Sequence, residues 1–301
     1  MKKLYGITVA MITPFDEEGK VDAKMLSTLT KKLLDKGVNC LYPGGTTGEM
    51  VHLTVEERKL IAERVVEAAG GRGNVFIHCG AMKQEETEEL LQHAYKIGAD
   101  GAGVVTPMFL GVNSEEMEAY YENLSKCVPD DFPIYLYNIP QCSGNDLKTE
   151  SAARLADICP NVVGIKYSYA DMMRTIEYLS IPGFSVLHGC DKMLSSLLMM
   201  GCDGTVSGVA GVFPEPFVAV YKAWKEKNVE QMQQWQKVCI RFCDLLRCGS
   251  NMSYFKEALK MRGLEVGGMR PPQKDLDNME IGQLREKLNK LCKESGILMT
   301  M

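Results

Sequence analysis

Lys166 closes the run Val162-Val-Gly-Ile-Lys166, so an ammonium group stands at the end of residues that read as a buried strand. Lysine is rarely buried without a partner or a purpose, because desolvating the charge is expensive. A neutral amine in such a place can attack a ketone and form a Schiff base; the competing reading is a side chain that emerges into solvent. Tyr135-Leu-Tyr137-Asn-Ile-Pro140 delivers a phenol just before a turn. That phenol is either a proton relay or a packed, hydrogen-bonding tyrosine. In Pro43-Gly-Gly-Thr-Thr-Gly-Glu49 the glycines let backbone approach a ligand, and adjacent hydroxyls with free N–H groups can hold a small carboxylate. The segment also reads as a plain turn, and no Lys-Ser/Thr pair follows at the spacing of a nucleotide phosphate loop. His188-Gly-Cys-Asp-Lys192 and Gly204-Thr-Val-Ser-Gly208 supply glycine and small polar groups that could wall a pocket. His188, Cys190 and Asp191 are too close in sequence to turn together toward one ion, so no metal is expected. His52, His78 and His93 stand apart and read as structural.

These groups need elements to position them. Apolar runs rich in Val, Ile and Tyr span residues 5–12, 39–43, 74–79, 102–106, 133–138, 162–167, 184–188 and 204–208. Helix-like segments near 22–36, 54–69, 84–97, 114–127, 149–158, 170–180, 191–200 and 215–226 alternate with them. Thr54-Val-Glu-Glu57 and Ser114-Glu-Glu-Met117 read as helix starts, with acids in the first turn. Strands each followed by a helix imply a parallel sheet. The α/β fold predicted is a (β/α)8 TIM barrel, whose active site lies at the C-terminal strand ends. A doubly wound open sheet is the rival, but Thr13-Pro-Phe-Asp16 stands where its dinucleotide fingerprint belongs. Beyond residue 228 the pattern is helical, over 229–248, 253–262 and 278–293. The predicted division is a barrel over 1–228 carrying the site and a C-terminal helical extension over 229–301.

With 301 residues, 34 Lys+Arg against 39 Asp+Glu and a net charge of −5, the chain lacks the basic stripe of a nucleic-acid surface. Small-molecule substrates fit better. Met1-Lys-Lys3 and the apolar residues to Ile12 imitate a secretory leader, but no small-residue cleavage pattern follows, and a first strand is expected instead. No run approaches the roughly 18 apolar residues of a membrane span. The 11 cysteines form no C-x-x-C pair, which suits reduced thiols and a cytoplasmic location.

Taken together, Val9-Ala-Met-Ile-Thr-Pro-Phe15 with Gly19 and Val21-Asp22, Gly44-Gly-Thr-Thr-Gly-Glu49, Val105-Thr-Pro107, Tyr137-Asn-Ile-Pro140 with Gly144, and Gly164-Ile-Lys166 carry a resemblance over nearly the whole chain. The sequence resembles the dihydrodipicolinate synthase and N-acetylneuraminate lyase family of class I, lysine-dependent pyruvate aldolases. That resemblance implies that Lys166 forms an imine with pyruvate or another 2-oxo acid. Thr46 and Thr47, with Gly45 and nearby N–H groups, would hold the carboxylate, and Tyr137 would shuttle a proton in a relay with Thr46. It further implies that Val206 lines the pyruvate pocket and that Gly189 and Asp191 face the second substrate, as in the sialate lyase branch. No metal or organic cofactor is required, and a homotetramer is expected.

Several positions depart from the family pattern. Met108-Phe109 replaces the tyrosine pair of the synthases, one of which completes the relay across a subunit interface; Cys142 replaces their carboxylate-binding arginine. Tyr167 follows the lysine where an acid is usual, and Lys192 stands where a sialate lyase has an acid. A thiol cannot reproduce bidentate carboxylate binding. The expected activity is therefore a pyruvate-dependent carbon–carbon or carbon–oxygen lyase whose partner is an aldehyde, acting either as a 2-oxo-3-deoxy sugar acid aldolase or in the manner of a sialate lyase. The alternatives are 4-hydroxy-tetrahydrodipicolinate synthase and a non-catalytic 2-oxo-acid-binding barrel.

Overall fold

The apolar runs form eight parallel strands in a computed structural model that describes residues 1–301. They are β1 (Gly6–Ala10), β2 (Cys40–Tyr42), β3 (Asn74–His78), β4 (Gly101–Val105), β5 (Ile134–Asn138), β6 (Val162–Tyr167), β7 (Ser185–His188) and β8 (Gly204–Ser207). They pair in sequence order and β8 closes onto β1, giving the (β/α)8 TIM barrel. Closure leaves no exposed sheet edge.

Around the barrel run α1 (Ala23–Asp35), α2 (Val55–Ala69), α3 (Gln84–Lys96), α4 (Ser114–Ser125), α5 (Pro140–Ser143), α6 (Thr149–Ile158), α7 (Met172–Leu179), α8 (Leu194–Met200) and α9 (Pro214–Lys225). The chain continues into α10 (Val229–Leu245), α11 (Met252–Met261) and α12 (Asn278–Ser295). Thr54 caps α2 in a reciprocal box with Glu57, as its sequence predicts. The start of α4 lies one residue earlier than expected. Asn113 is its cap, accepting from Glu116 N, and Ser114 is already helical. The one-turn α5 is an element that periodicity does not reveal, begun by Pro140 directly after β5. The expected helix from 229 to 248 stops at Leu245, because Arg247 and Cys248 take left-handed backbone angles (φ 52° and 49°).

Strand alternation divides the buried side chains into two sets. Sixty-eight residues, among them Ile165 and Tyr167, pack between barrel and helices. A smaller set inside the barrel includes Tyr42, Phe76, Tyr135 and Val206. Glycines make room for these rings: a Cβ on Gly103 would lie 1.9 Å from Tyr42 Oη, and one on Gly101 would lie 2.3 Å from the Phe76 ring. The larger core runs without a break across residue 228, with Phe242 of α10 stacked on Phe213 at 4.3 Å. Arg262, 1% exposed, follows α11 and ties that helix to the barrel by donating to Val212 O and to both oxygens of Glu215. No helix is long and apolar enough to cross a membrane.

Candidate active site

Register sets the first contact of the site: Tyr137 on β5 pairs with Lys166 on β6. Both side chains point into the barrel at its C-terminal end, and Lys166 is 4% exposed. No carboxylate forms an ion pair with it. Its Nζ lies instead 3.8 Å from the centroid of the Tyr137 ring and 4.7 Å from that of Tyr42. Ring quadrupoles attract an ammonium ion, yet they lack the directed acceptors of a carboxylate.

After β2 the chain turns at Gly44, whose φ of +73° suits glycine. Thr13 Oγ1 donates to Gly48 O and fastens this turn to the end of β1. Inside the turn, Gly48 N donates to Gly45 O and Glu49 N to Thr46 O, while the N–H groups of Thr46 and Thr47 make no backbone hydrogen bond. Two adjacent free N–H groups form a concavity suited to an anion. Thr46 Oγ1 stands 3.4 Å from Tyr137 Oη, within reach of a hydroxyl relay.

Lys166, Tyr137, Thr46 and Thr47 share one cavity of about 340 Å3 with Val206, Gly189 and Asp191. Seven of the eight residues singled out in the sequence thus meet. Gly45, the eighth, is not in the wall; it lies behind it, where a Cβ would stand 3.6 Å from Tyr42 and 3.7 Å from His78. Gly189 is pressed against Ser168, leaving no room for a side chain. Asp191 accepts from Ser207 Oγ at 2.8 Å and Thr205 Oγ1 at 3.4 Å, yet burial pushes its carboxyl up to about 7.

Other residues of the site escape the sequence reading. His78, read as an isolated structural histidine, lies edge-on to Tyr137 at 5.7 Å, and its Nδ1 is 3.1 Å from Gly44 O, bracing the threonine turn from below. Burial and, secondarily, the charges of Arg58 and Lys166 hold its pKa well below the usual range, so the ring is neutral. Arg58, buried, donates to the carbonyls of His78 and Gly80. The outer wall comes from the turn between α10 and α11, through Arg247, Cys248 and Ser250, and from α11, through Met252 and Phe255. Nothing local in the sequence announces these, because the barrel brings them together only on closing.

The structure also sorts the departures. Cys142, on α5, lines the cavity. Phe109 does not; it is 84% exposed, with φ +73°. Tyr167 points away from the barrel interior, against Tyr178 and His188. Lys192 pairs with Asp244 on α10 and is absent from the cavity wall, so its charge is already matched there.

A model of the dihydrodipicolinate synthetase family matches residues 3–291. The chain belongs to this family. Among dihydrodipicolinate synthetase relatives, an uncharacterized DapA-like lyase of Halobacterium salinarum is 33% identical over 286 residues, covering 95% of this chain and 93% of the relative. The probable 2-dehydro-3-deoxy-D-pentonate aldolase YjhH of Escherichia coli is 34% identical, covering 76% and 77%. The crystal structure of YagE, an E. coli prophage protein of the dihydrodipicolinic acid synthase family in complex with pyruvate, superposes with a TM-score of 0.91 at 30% identity, covering 96% of this chain and 99% of that one.

Proposed function

We propose that this dihydrodipicolinate synthetase family member is a class I aldolase that cleaves or forms the bond between pyruvate and an aldehyde through an imine on Lys166. The observation that carries this reading is the buried Lys166 amine, which forms no ion pair, sharing a cavity with Tyr137 and with the unspent N–H groups of Thr46 and Thr47. The pyruvate-bound relative and the pentonate aldolase relative support it.

In this mechanism the N–H groups and hydroxyls of Thr46 and Thr47 hold the 2-oxo acid's carboxylate, which aims the ketone at Lys166. The neutral amine attacks the ketone carbon, water leaves, and the protonated imine becomes the electron sink. As the neighbouring carbon–carbon bond breaks, its electrons pass into the imine system to give an enamine. Tyr137, in relay with Thr46, takes the proton of the departing hydroxyl, and an aldehyde leaves. Protonation of the enamine carbon and hydrolysis then release pyruvate and restore the amine. Orientation and acid–base help are the contributions the geometry offers. Gly189 and Asp191 face the aldehyde portion, and Val206 packs beside the pyruvate. We assign the imine chemistry to the barrel, residues 1–228, and the outer wall to the helical extension, residues 229–301. The apolar edge formed by Val51, Met82, Phe109 and Leu110, each more than half exposed, suits burial in the expected homotetramer.

The substrate we favour is a 2-oxo-3-deoxy sugar acid rather than aspartate semialdehyde, because Cys142 puts a thiol beside Tyr137 where the synthase pattern has its arginine, and the one guanidinium of the cavity, Arg247, comes from the outer wall instead. Incubation with pyruvate and borohydride, intact mass and peptide mapping test the mechanism. A reduced pyruvate adduct on Lys166, missing in Lys166→Ala, is expected. An unmodified wild-type chain overturns the mechanism.

A further inference from the structure

We infer that Arg247, on the turn between α10 and α11, is a specificity-determining residue that receives an anionic group at the far end of the aldehyde. This rests on the Schiff-base reading, which gives the inner end of the cavity to the 2-oxo acid. The outer end is then left for the aldehyde's tail, and there Arg247 is the cationic wall residue.

Three observations converge on it. First, Arg247 takes part in no ion pair; its guanidinium lies 4.4 Å over the Tyr254 ring. A guanidinium held against a ring and matched by no carboxylate keeps N–H donors for an incoming anion, and its fork can receive a carboxylate or phosphate in two parallel hydrogen bonds. The nearby Glu280 accepts from Tyr254 Oη at 3.3 Å, so it is engaged with the ring that supports Arg247. Second, the backbone is strained where the arginine enters. Arg247 and Cys248 have φ of 52° and 49°, a region disfavoured for residues with a Cβ, before Gly249 at 73°. Strain of this kind concentrates at ligand clamps. Third, the cavity's own acid does not compete: Asp191 is tied to Ser207 and Thr205. The cavity, about 340 Å3 against roughly 30 Å3 per molecule of liquid water, has room for pyruvate and an aldehyde of a few carbons.

The test measures kcat/KM with pyruvate and three aldehydes: glyceraldehyde, succinate semialdehyde and glyceraldehyde 3-phosphate. A charge-assisted hydrogen bond corresponds to roughly 10- to 150-fold, so the wild type should prefer one of the anionic aldehydes over glyceraldehyde by that factor. Which anion leads distinguishes carboxylate from phosphate. Arg247→Met should abolish the preference, and Arg247→Lys, a point charge without the fork, should restore part of it. Borohydride trapping of pyruvate on Lys166 is run on every variant. A preference that is absent in the wild type, or that survives in Arg247→Met, overturns the role of Arg247 while the Lys166 adduct still forms. Failure of the adduct in the wild type instead overturns the Schiff-base reading.

Discussion

Replacing Lys256 with methionine should unsettle the turn that carries Thr46 and Thr47 from behind. Lys256 Nζ lies 2.6 Å from Glu49 Oε1, and the two side chains are 1% and 4% exposed. Lys256 also donates to Gly268 O and sits 4.1 Å over the Phe15 ring. Neither Glu49 oxygen has a well-aligned hydrogen bond, so charge attraction dominates the pair. Burial lowers the pKa of Lys256, and Glu49 works against that shift. Lys256→Met keeps the chain length and removes the charge, leaving Glu49 buried without its lysine partner. Breaking such a pair destabilises a fold by about 3–5 kcal/mol. At about 2.1 cal/mol/K per residue, the unfolding entropy of 301 residues is roughly 0.6 kcal/mol/K, so Tm should fall by about 5–8 °C. Glu49→Gln combined with Lys256→Met should recover most of that loss, since the two effects are coupled. Glu49, at φ +59°, also donates its N–H to Thr46 O, so the single variant should raise KM for pyruvate more than it lowers kcat. Thermal melts of both single variants and the double variant, with steady-state kinetics, decide the matter. A Tm within about 2 °C of wild type for Lys256→Met would show that solvent reaches Glu49 and that the argument from burial is wrong.

Tyr137→Phe keeps the ring beside Lys166 and removes the hydroxyl, so borohydride trapping should persist while kcat falls roughly 10²- to 10⁴-fold; unchanged turnover would remove Tyr137 from the relay. Asp191 titrates near 7 in the fold against about 3.9 when unfolded, so the stability held by its protonated form is full below about pH 4 and lost as pH rises through 7. Asp191→Asn should therefore gain in Tm on the wild type between pH 5 and 9, and parallel Tm curves would contradict the burial of this carboxyl. Gly103→Ala sets a methyl 1.9 Å from Tyr42 Oη and must drive that ring from Lys166. Reduced pyruvate trapping with a lower Tm is expected, and wild-type trapping would show that Tyr42 does not help place the amine.

The barrel was legible because each strand is a short apolar run followed by an amphipathic stretch, a pattern that parallel pairing with helical crossovers imposes. Lys166, Tyr137 and the threonine turn were legible for a related reason: polar groups that end apolar runs must face either solvent or a site. Tyr42 and His78 were harder to read, since an inward tyrosine or histidine on a buried strand resembles any other core residue until the barrel closes. Arg58, on α2, reaches His78 only through the tertiary fold. The departure at Tyr167 stands next to Lys166 in sequence, yet strand alternation turns it to the opposite face of β6. The turn at Arg247 defied the helical pattern because its left-handed residues are not glycine, and sequence rules place such turns at glycine.

The inner and outer walls of the cavity are inherited differently. Lys166 and Tyr137 sit on neighbouring strands whose pairing runs in register from Tyr135 and Gly164 to Asn138 and Tyr167, so neither can move without disturbing the sheet. Arg247 sits on a short connection between two helices, outside that lattice. Mutation can accordingly reshape the outer wall, or insertion lengthen it, while Lys166 and Tyr137 stay in place, and under the proposed aldolase function the division makes residues 246–251 the natural segment for recombination or directed evolution toward new aldehydes.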